Sequence, residues 1–323
     1  MSWIRRRWRR IVGVAGFGLL AALAVLEIVG LAEPAQWYTG ISVSPSSFYA
    51  FGYLHGTNQV VLPPFGPFSN VDVWTVEPRS AGTHFYLLGS DPGGRDMLAL
   101  VAHAVIPSLE LVAIVVAARL LVGLIAGLAM GLGSRLVASI SDGIGSWIIG
   151  FPYLALAIVV IEALAPRGKE FAFVVGMSMI GWRDIAVLVA ETVERVRTQP
   201  FATAADALGT GGLRFFQLHV VPFLRPVLTI EVAFQASACL VLLAELGYLQ
   251  VFLGPVLSLV QQGDNSIPII TQLELGQLLA LSRRYILYKQ MGPVLVPAFA
   301  VVAMALAFEL VGTALRGRWR FSR

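Results

Sequence analysis

From Ile11 to Leu31 the chain carries one ionisable side chain, Glu27, and the ten residues before that run read MSWIRRRWRR. As a helix, about 20 apolar residues span the hydrocarbon of a bilayer. Arginines crowded at the entrance hold that end in the cytosol. The run is long for the apolar part of a signal peptide, no small-x-small cleavage site follows it, and Glu33-Pro34 closes it. A retained first span is therefore expected. Glu27 lies close enough to its outer end to reach the headgroups or a partner helix.

Comparable runs recur at about 105–132, 147–165, 171–190, 223–246 and 291–315, so the expected fold class is an all-α integral membrane protein with six transmembrane helices. Arg183 and Asp184 interrupt the fourth run: either that span tilts with the pair facing protein, or it ends near Trp182 and an interfacial helix continues. Both termini then lie in the cytosol, together with Arg135, Arg195, Arg197, Arg214 and the tail arginines Arg316, Arg318 and Arg320. Arg283, Arg284 and Lys289 fall outside. The balance obeys the positive-inside rule. Composition agrees: 57% of residues are hydrophobic and 13% charged, with mean hydropathy +0.78, where soluble domains carry about 25% charged residues. The net charge of +4 is explained by topology and implies no nucleic acid. A single cysteine, Cys239, excludes a disulfide within the chain and implies no zinc or thiolate site.

The expected organisation is a basic N-terminus and first span (1–32), an extracytoplasmic segment with an interfacial helix (33–103), and a five-helix core (104–323). Residues 33–88 are rich in Pro, Gly, Ser and aromatics, too polar to span, and read as irregular chain with room for short strands. They either shape an entrance or cover the outer helix ends, the cover being preferred. Asp96 is placed to cap the helix that follows. Within the second span, Gly123, Gly127 and Gly131 form a doubled GxxxG pattern, the spacing that lets helix backbones approach in lipid. Arg119 in the same span needs a partner or water, and Glu231 and Glu309 raise the same question in the fifth and sixth. Each is a candidate for the lining of a pathway or for a helix contact. Ser134 to Ser146 reads as a cytosolic polar turn, and a second outer segment covers 247–290.

Between the fourth and fifth spans lies an interval that can hardly cross a bilayer, because it holds Glu191, Glu194, Arg195, Arg197, Asp206, Arg214 and His219. Its centre reads TQPFATAADALGTGGLRFFQLHVVPF. Ala204, Ala205, Ala207 and Leu208 are strong helix formers, and Gly209, Gly211 and Gly212 can end that helix. Two readings of this local sequence stand: a docking surface for a soluble partner, or a helical loop on the lipid surface.

A resemblance separates them. Thr203, Ala204, Ala205, Asp206, Ala207, Leu208 and Gly209, then His219 and Pro222, resemble the E-A-A-x-A-x-G loop and its following His-x-Leu-Pro. That loop belongs to the inner-membrane permease subunits of ATP-binding-cassette importers for dipeptides, oligopeptides and nickel. Trp182 matches the tryptophan before the loop. Leu88, Gly89, Asp91, Gly94, Arg95 and Asp96 resemble the family's LGTDxxGRD signature. Asp142 with Phe151, Pro152 and Leu154 resembles its D…FPxL step, and Phe308, Gly312, Leu315 and Arg316 the end of its last span. The order is the family's, from Leu88 to Arg316. Departures are specific: Thr203 replaces a glutamate, Val187, Ala190 and Ile106 replace arginines, Phe223 and Glu309 asparagines, and Thr313 an aspartate.

The resemblance implies a permease subunit in a bacterial cytoplasmic (inner) membrane whose loop, 195–222, is a coupling helix. It implies a second homologous permease, two cytosolic ATPases that hold ATP and Mg, an extracytoplasmic binding protein, and peptides or a related small solute as cargo. No Walker-type sequence is present, so the chain itself is expected to bind no cofactor and to be no enzyme. A non-transporting membrane structural or assembly subunit is the alternative. It explains the composition and the glycines but not the ordered motifs.

Overall fold

The structure, a computed structural model, describes residues 2–33, 50–57, 59–75, 81–91, 94–133, 135–150, 152–202, 214, 216–253, 256–260, 266–270, 274–287 and 289–319. They form two compact units, one of Met1–Phe17, Leu111–Leu242 and Ala305–Arg323, the other of Gly18–Glu110 and Leu243–Met304. The helices are α1 (Ser2–Leu31), α2 (Met97–Gly131), α3 (Arg135–Gly150), α4 (Tyr153–Leu164), α5 (Lys169–Ser178), α6 (Trp182–Arg197), α7 (Val221–Tyr248), α8 (Leu275–Ser282) and α9 (Gly292–Trp319). A π-helical turn, Phe216–Val220, leads into α7. Among the described residues four helices are long and apolar enough to cross a membrane: Ile11–Leu31, Met97–Gly131, Phe216–Tyr248 and Gly292–Arg316. The pair α5 and α6, bent by 45°, makes a fifth candidate.

The third expected span is the one that differs. Residues expected as a polar turn are helical in α3, and the apolar run breaks at Pro152, whose backbone (φ −58, ψ 118) is extended. Proline lacks the N–H that would continue the ladder. The remaining α4 has 12 residues, about 18 Å, well short of a bilayer core of about 30 Å. It packs on α5 at Gly176, where a Cβ would lie 2.5 Å from Ile161 Cγ1.

The all-α expectation is also corrected. The second unit contains an antiparallel sheet of β1 (Ala50–Leu54), β2 (Val60–Val61), β3 (Ser69–Thr75) and β4 (Ala81–Tyr86), in the order β2-β1-β3-β4. Its register pairs Val71 with His84 and Asp72 with Thr83. Period-two alternation makes it possible: Val71, Val73, His84 and Tyr86 are buried with Phe65, while Asn70, Thr83 and Phe85 face outward. A two-stranded antiparallel pair, β5 (Val256–Val260) with β6 (Ser266–Ile270), lies in the segment 247–290 that is expected outside from sequence. The expected interfacial helix and the second span are one continuous helix, α2, with Pro107 inside it.

Candidate functional site

In the first unit the fifth candidate span is broken between Ser178 and Trp182, with Gly181 at φ +94. Arg119 of α2 fills the break. It is 2% exposed. Its Nε and Nη2 donate to Met177 O (3.1 and 2.7 Å) and its Nη1 to Gln235 Oε1 of α7 (2.7 Å). Gln235 Nε2 in turn donates to Glu231 Oε1 (2.9 Å). A helix end leaves carbonyls unpaired, and here a buried cation takes the carbonyl that the break in α5 frees. A side chain on Gly181 would meet Gln235 Oε1 at 2.9 Å and Arg119 Nη1 at 3.0 Å, so both backbone and space call for glycine there.

Below the break α6 is amphipathic, burying Ile185, Ala186, Val189, Val193 and Val196 at helical spacing. The three glycines of α2 receive that face. A Cβ on Gly123 would lie 2.7 Å from Ile185 Cβ, one on Gly127 would strike Ala186 O and lie 2.6 Å from Val189 Cβ, and one on Gly131 would lie 2.7 Å from Val193 Cβ. Arg197 Nη1 donates to Gly131 O (3.2 Å), tying the two helix ends. Arg183, which interrupts the apolar run, donates from Nε to Ser141 O of α3 (3.1 Å). Asp184 is exposed in the first turn of α6, where a helix dipole favours a carboxylate.

The loop after α6 is held at both stems. Val193 and Val196 share one buried cluster with Val220 and Leu224, on the returning side, and Leu124 and Leu128 of α2 pack against it. Phe201 lies with its ring centroid 5.5 Å from His219 and is stacked on Phe223 at 6.4 Å. The loop's own Thr203, Ala204, Ala205, Asp206, Ala207, Leu208 and Gly209 lie outside the described residues. Of the residues expected to couple, His219 sits in the π-helical turn, half-buried, and Pro222 is exposed in the first turn of α7. Arg119 and Glu231 come together through Gln235, with Glu231 partly exposed, while Glu309 is exposed on α9. Met177, Gly181, Gln235 and Phe201 were not picked out from sequence. Gly181 directly before Trp182 was the available signal.

In the second unit the LGSDPGGRD stretch joins the sheet to α2. Asp96 Oδ1 accepts from Leu98 N (2.7 Å) and Ala99 N (3.1 Å), capping the helix, and its Oδ2 accepts from His84 Nε2 (2.8 Å). Arg95 donates from its backbone N to Asp91 Oδ1 (2.8 Å) and from Nε to Oδ2 (2.6 Å). Tyr86 donates to Gly94 O (2.9 Å). Burial first, then Asp96 and Asp91, push its phenol above the ordinary tyrosine range. The α8 helix is pinned similarly: Leu275 N donates to Ser108 Oγ (2.9 Å) and Leu253 N to Glu274 Oε1 (2.9 Å). Burial raises the Glu274 carboxyl, with the Leu253 bond opposing it.

Comparison with known proteins follows the same direction as the motifs. The chain is 25% identical over 230 residues to the dipeptide transport system permease protein DppC of Alkalihalophilus pseudofirmus, covering 71% of this chain and 69% of that one. It is 24% identical over 262 residues to the di/tripeptide transport system permease protein DppC of Pseudomonas aeruginosa, covering 79% of each. It is 25% identical over 233 residues to the peptide transport system permease protein SapC of Escherichia coli, covering 72% of each. No protein-family model matches the chain. The chain is thus similar to peptide-transport permeases, and with its candidate spans it is an integral membrane protein.

Proposed function

We propose that this chain is a permease subunit of an ATP-driven importer of the ATP-binding-cassette class, carrying peptides or a related small solute across a bacterial cytoplasmic membrane. The observation that carries the reading is its similarity to peptide-transport permeases over 71% and 79% of its length. In this reading the third apolar run still crosses, as a span broken at Pro152 between α3 and α4, so that six spans place both termini and loop 195–222 in the cytosol, where the loop docks on an ATPase. A second, homologous permease supplies the other half of the path, and an extracytoplasmic protein delivers cargo. ATP and Mg belong to the ATPases.

The geometry of the loop's stems supports such a task. A shove on a loop is transmitted only if both stems move as one body. Here Val193, Val196, Val220 and Leu224 share a core, and three glycines seat α6 on α2. Closure of two ATPases would drive two such loops together and rock the spans between inward and outward opening.

The test is a charged side chain where the loop turns back. Gly209→Arg is expected to abolish uptake and cargo-stimulated ATP hydrolysis while the chain still inserts into the membrane. Copurification with two ATPases is expected for the parent chain. Normal coupled hydrolysis in the variant, or labelling of residues 204–209 from outside the cell, would refute the assignment.

A further inference from the structure

We propose that the turn VLPPFGPF, between β2 and β3, is a membrane-interface anchor that seats Leu62 and Phe68 in the lipid headgroup layer at the C-terminal end of α1. The inference rests on the reading of α1 as a membrane span.

The level of the lipid boundary can be traced through the second unit. The apolar run Ile11–Leu31 has 21 residues, a helix of about 31 Å, against a hydrocarbon core of about 30 Å. With arginines at its start, its far end marks the other edge of the hydrocarbon. That end touches the first turns of α2: a Cβ on Gly30 would lie 2.5 Å from Ala102 Cβ and 2.8 Å from Leu98 O. One residue before Leu98, Met97 N donates to Gly89 O (3.1 Å). The turn is stapled to that point, since Phe65 N donates to Ser90 Oγ (2.7 Å) and Ser90 N donates to Phe65 O (3.0 Å). A side chain on Gly89, whose φ is +83, would press on Phe65 O at 2.8 Å. A short chain of contacts therefore runs from the edge of the hydrocarbon to this turn.

The residues the turn displays are those of an interfacial surface. Its sequence holds no charge. Leu62 is 72% exposed and Phe68 71%. Phe68 also holds φ +57, a left-handed backbone that bulky residues rarely adopt and that Gly or Asn would enter with less strain. A large aromatic kept out of the core at a strained position points to work outside the fold. Aromatic and aliphatic side chains on an uncharged surface gain most at the boundary of headgroup and acyl chain.

The test uses the full chain in phosphatidylethanolamine/phosphatidylglycerol vesicles, with Cys239→Ala removing the native thiol. Nitroxide labels are placed at Phe68→Cys and, separately, Leu62→Cys. Val25→Cys on the exposed face of α1 is the lipid reference and Thr57→Cys in the β1–β2 turn the aqueous one. Labels at 62 and 68 are expected to lose access to a water-soluble nickel chelate and gain access to oxygen relative to 57. If 25 reads lipid while 62 and 68 match 57, the anchor is refuted and the span reading survives. If 25 reads aqueous, the span reading fails and the anchor with it. Shielding that comes only on addition of an extracytoplasmic binding protein makes the turn a protein-docking surface and overturns the lipid assignment.

Discussion

Gly127 and Gly143 are both helical glycines, and replacing each by alanine should have opposite consequences. At Gly143, in α3, nothing lies within 4 Å of an added Cβ, so alanine gains the ordinary helix advantage of about 1 kcal/mol. At Gly127 the same atom strikes Ala186 O and lies 2.6 Å from Val189 Cβ, where carbon atoms prefer about 3.5–4.0 Å. Helices α2 and α6 must part by about 1 Å, and a gap of that size forfeits about a quarter to a half of the dispersion between facing atoms. Overpacking of this kind costs about 1–3 kcal/mol. Both variants share the propensity gain, so the difference between them isolates the helix contact, at about 1–3 kcal/mol in favour of Gly143→Ala. Thermal unfolding of the full chain in detergent, with the parent alongside, measures it. Equal shifts for the two variants would falsify the close seating of α6 on α2.

Other consequences can be checked in the same preparation. Arg119→Met leaves Met177 O and Gln235 Oε1 without their donor in a site closed to water, and bonds to a charged group are worth about 1.5–3 kcal/mol each. Stability and complex assembly should fall together, whereas lost uptake with assembly intact would speak for a pathway role. Gly181→Ala should destabilise by about 1–2 kcal/mol from backbone strain alone, read as a lowered melting temperature. Burial holds Glu274 above its unfolded value, so the folded chain binds that proton more tightly. The stability linked to it is present at acid pH and is lost as pH rises through the folded pKa. Glu274→Gln keeps an acceptor for Leu253 N and should therefore exceed the parent in melting temperature near neutral pH, with the advantage shrinking on acidification. A pH-independent difference would count against burial as the cause.

What the sequence made legible was whatever rests on run length and local spacing. The first span coincides with its apolar run, Ile11–Leu31, because a lone helix in lipid needs nothing else. The glycines of α2 announced a close helix contact by their spacing, though not that α6 would fill it. The unread parts were decided by tertiary partners. Arg119 in mid-span signalled only that something must satisfy it. One of its acceptors is a main-chain carbonyl 58 residues away, freed by a helix break that no composition window reveals. The sheet hid for a different reason: Pro and Gly between strands made 50–86 look irregular, and its two buried alternations, Val71 with Val73 and His84 with Tyr86, are short. The third expected run carried enough hydrophobicity for a span, but Pro152 divides it.

The same geometry says where movement of the loop should be absorbed. Contacts at Gly123, Gly127 and Gly131 with Ile185, Val189 and Val193 are spread over eight residue steps, about 12 Å of helix. One contact would leave α6 free to pivot on α2, but three in line resist both pivoting and sliding. The Arg197 bond to Gly131 O adds a fourth tie at the loop end. A displacement entering through residue 198 is therefore carried as a rigid body to the other end of α6. There the backbone is already interrupted, at Gly181, and three hydrogen bonds from Arg119 bridge α2 to α5 and α7 at that point. For the ATP-driven transporter proposed above, hydrogen exchange of the amides at 178–182 is expected to change when the complex is trapped with ATP and vanadate, with amides 186–196 unchanged. If the change were spread instead along the buried face of α6, the helix would be yielding, and α6 seated on the seam of glycines would not act as a rigid arm.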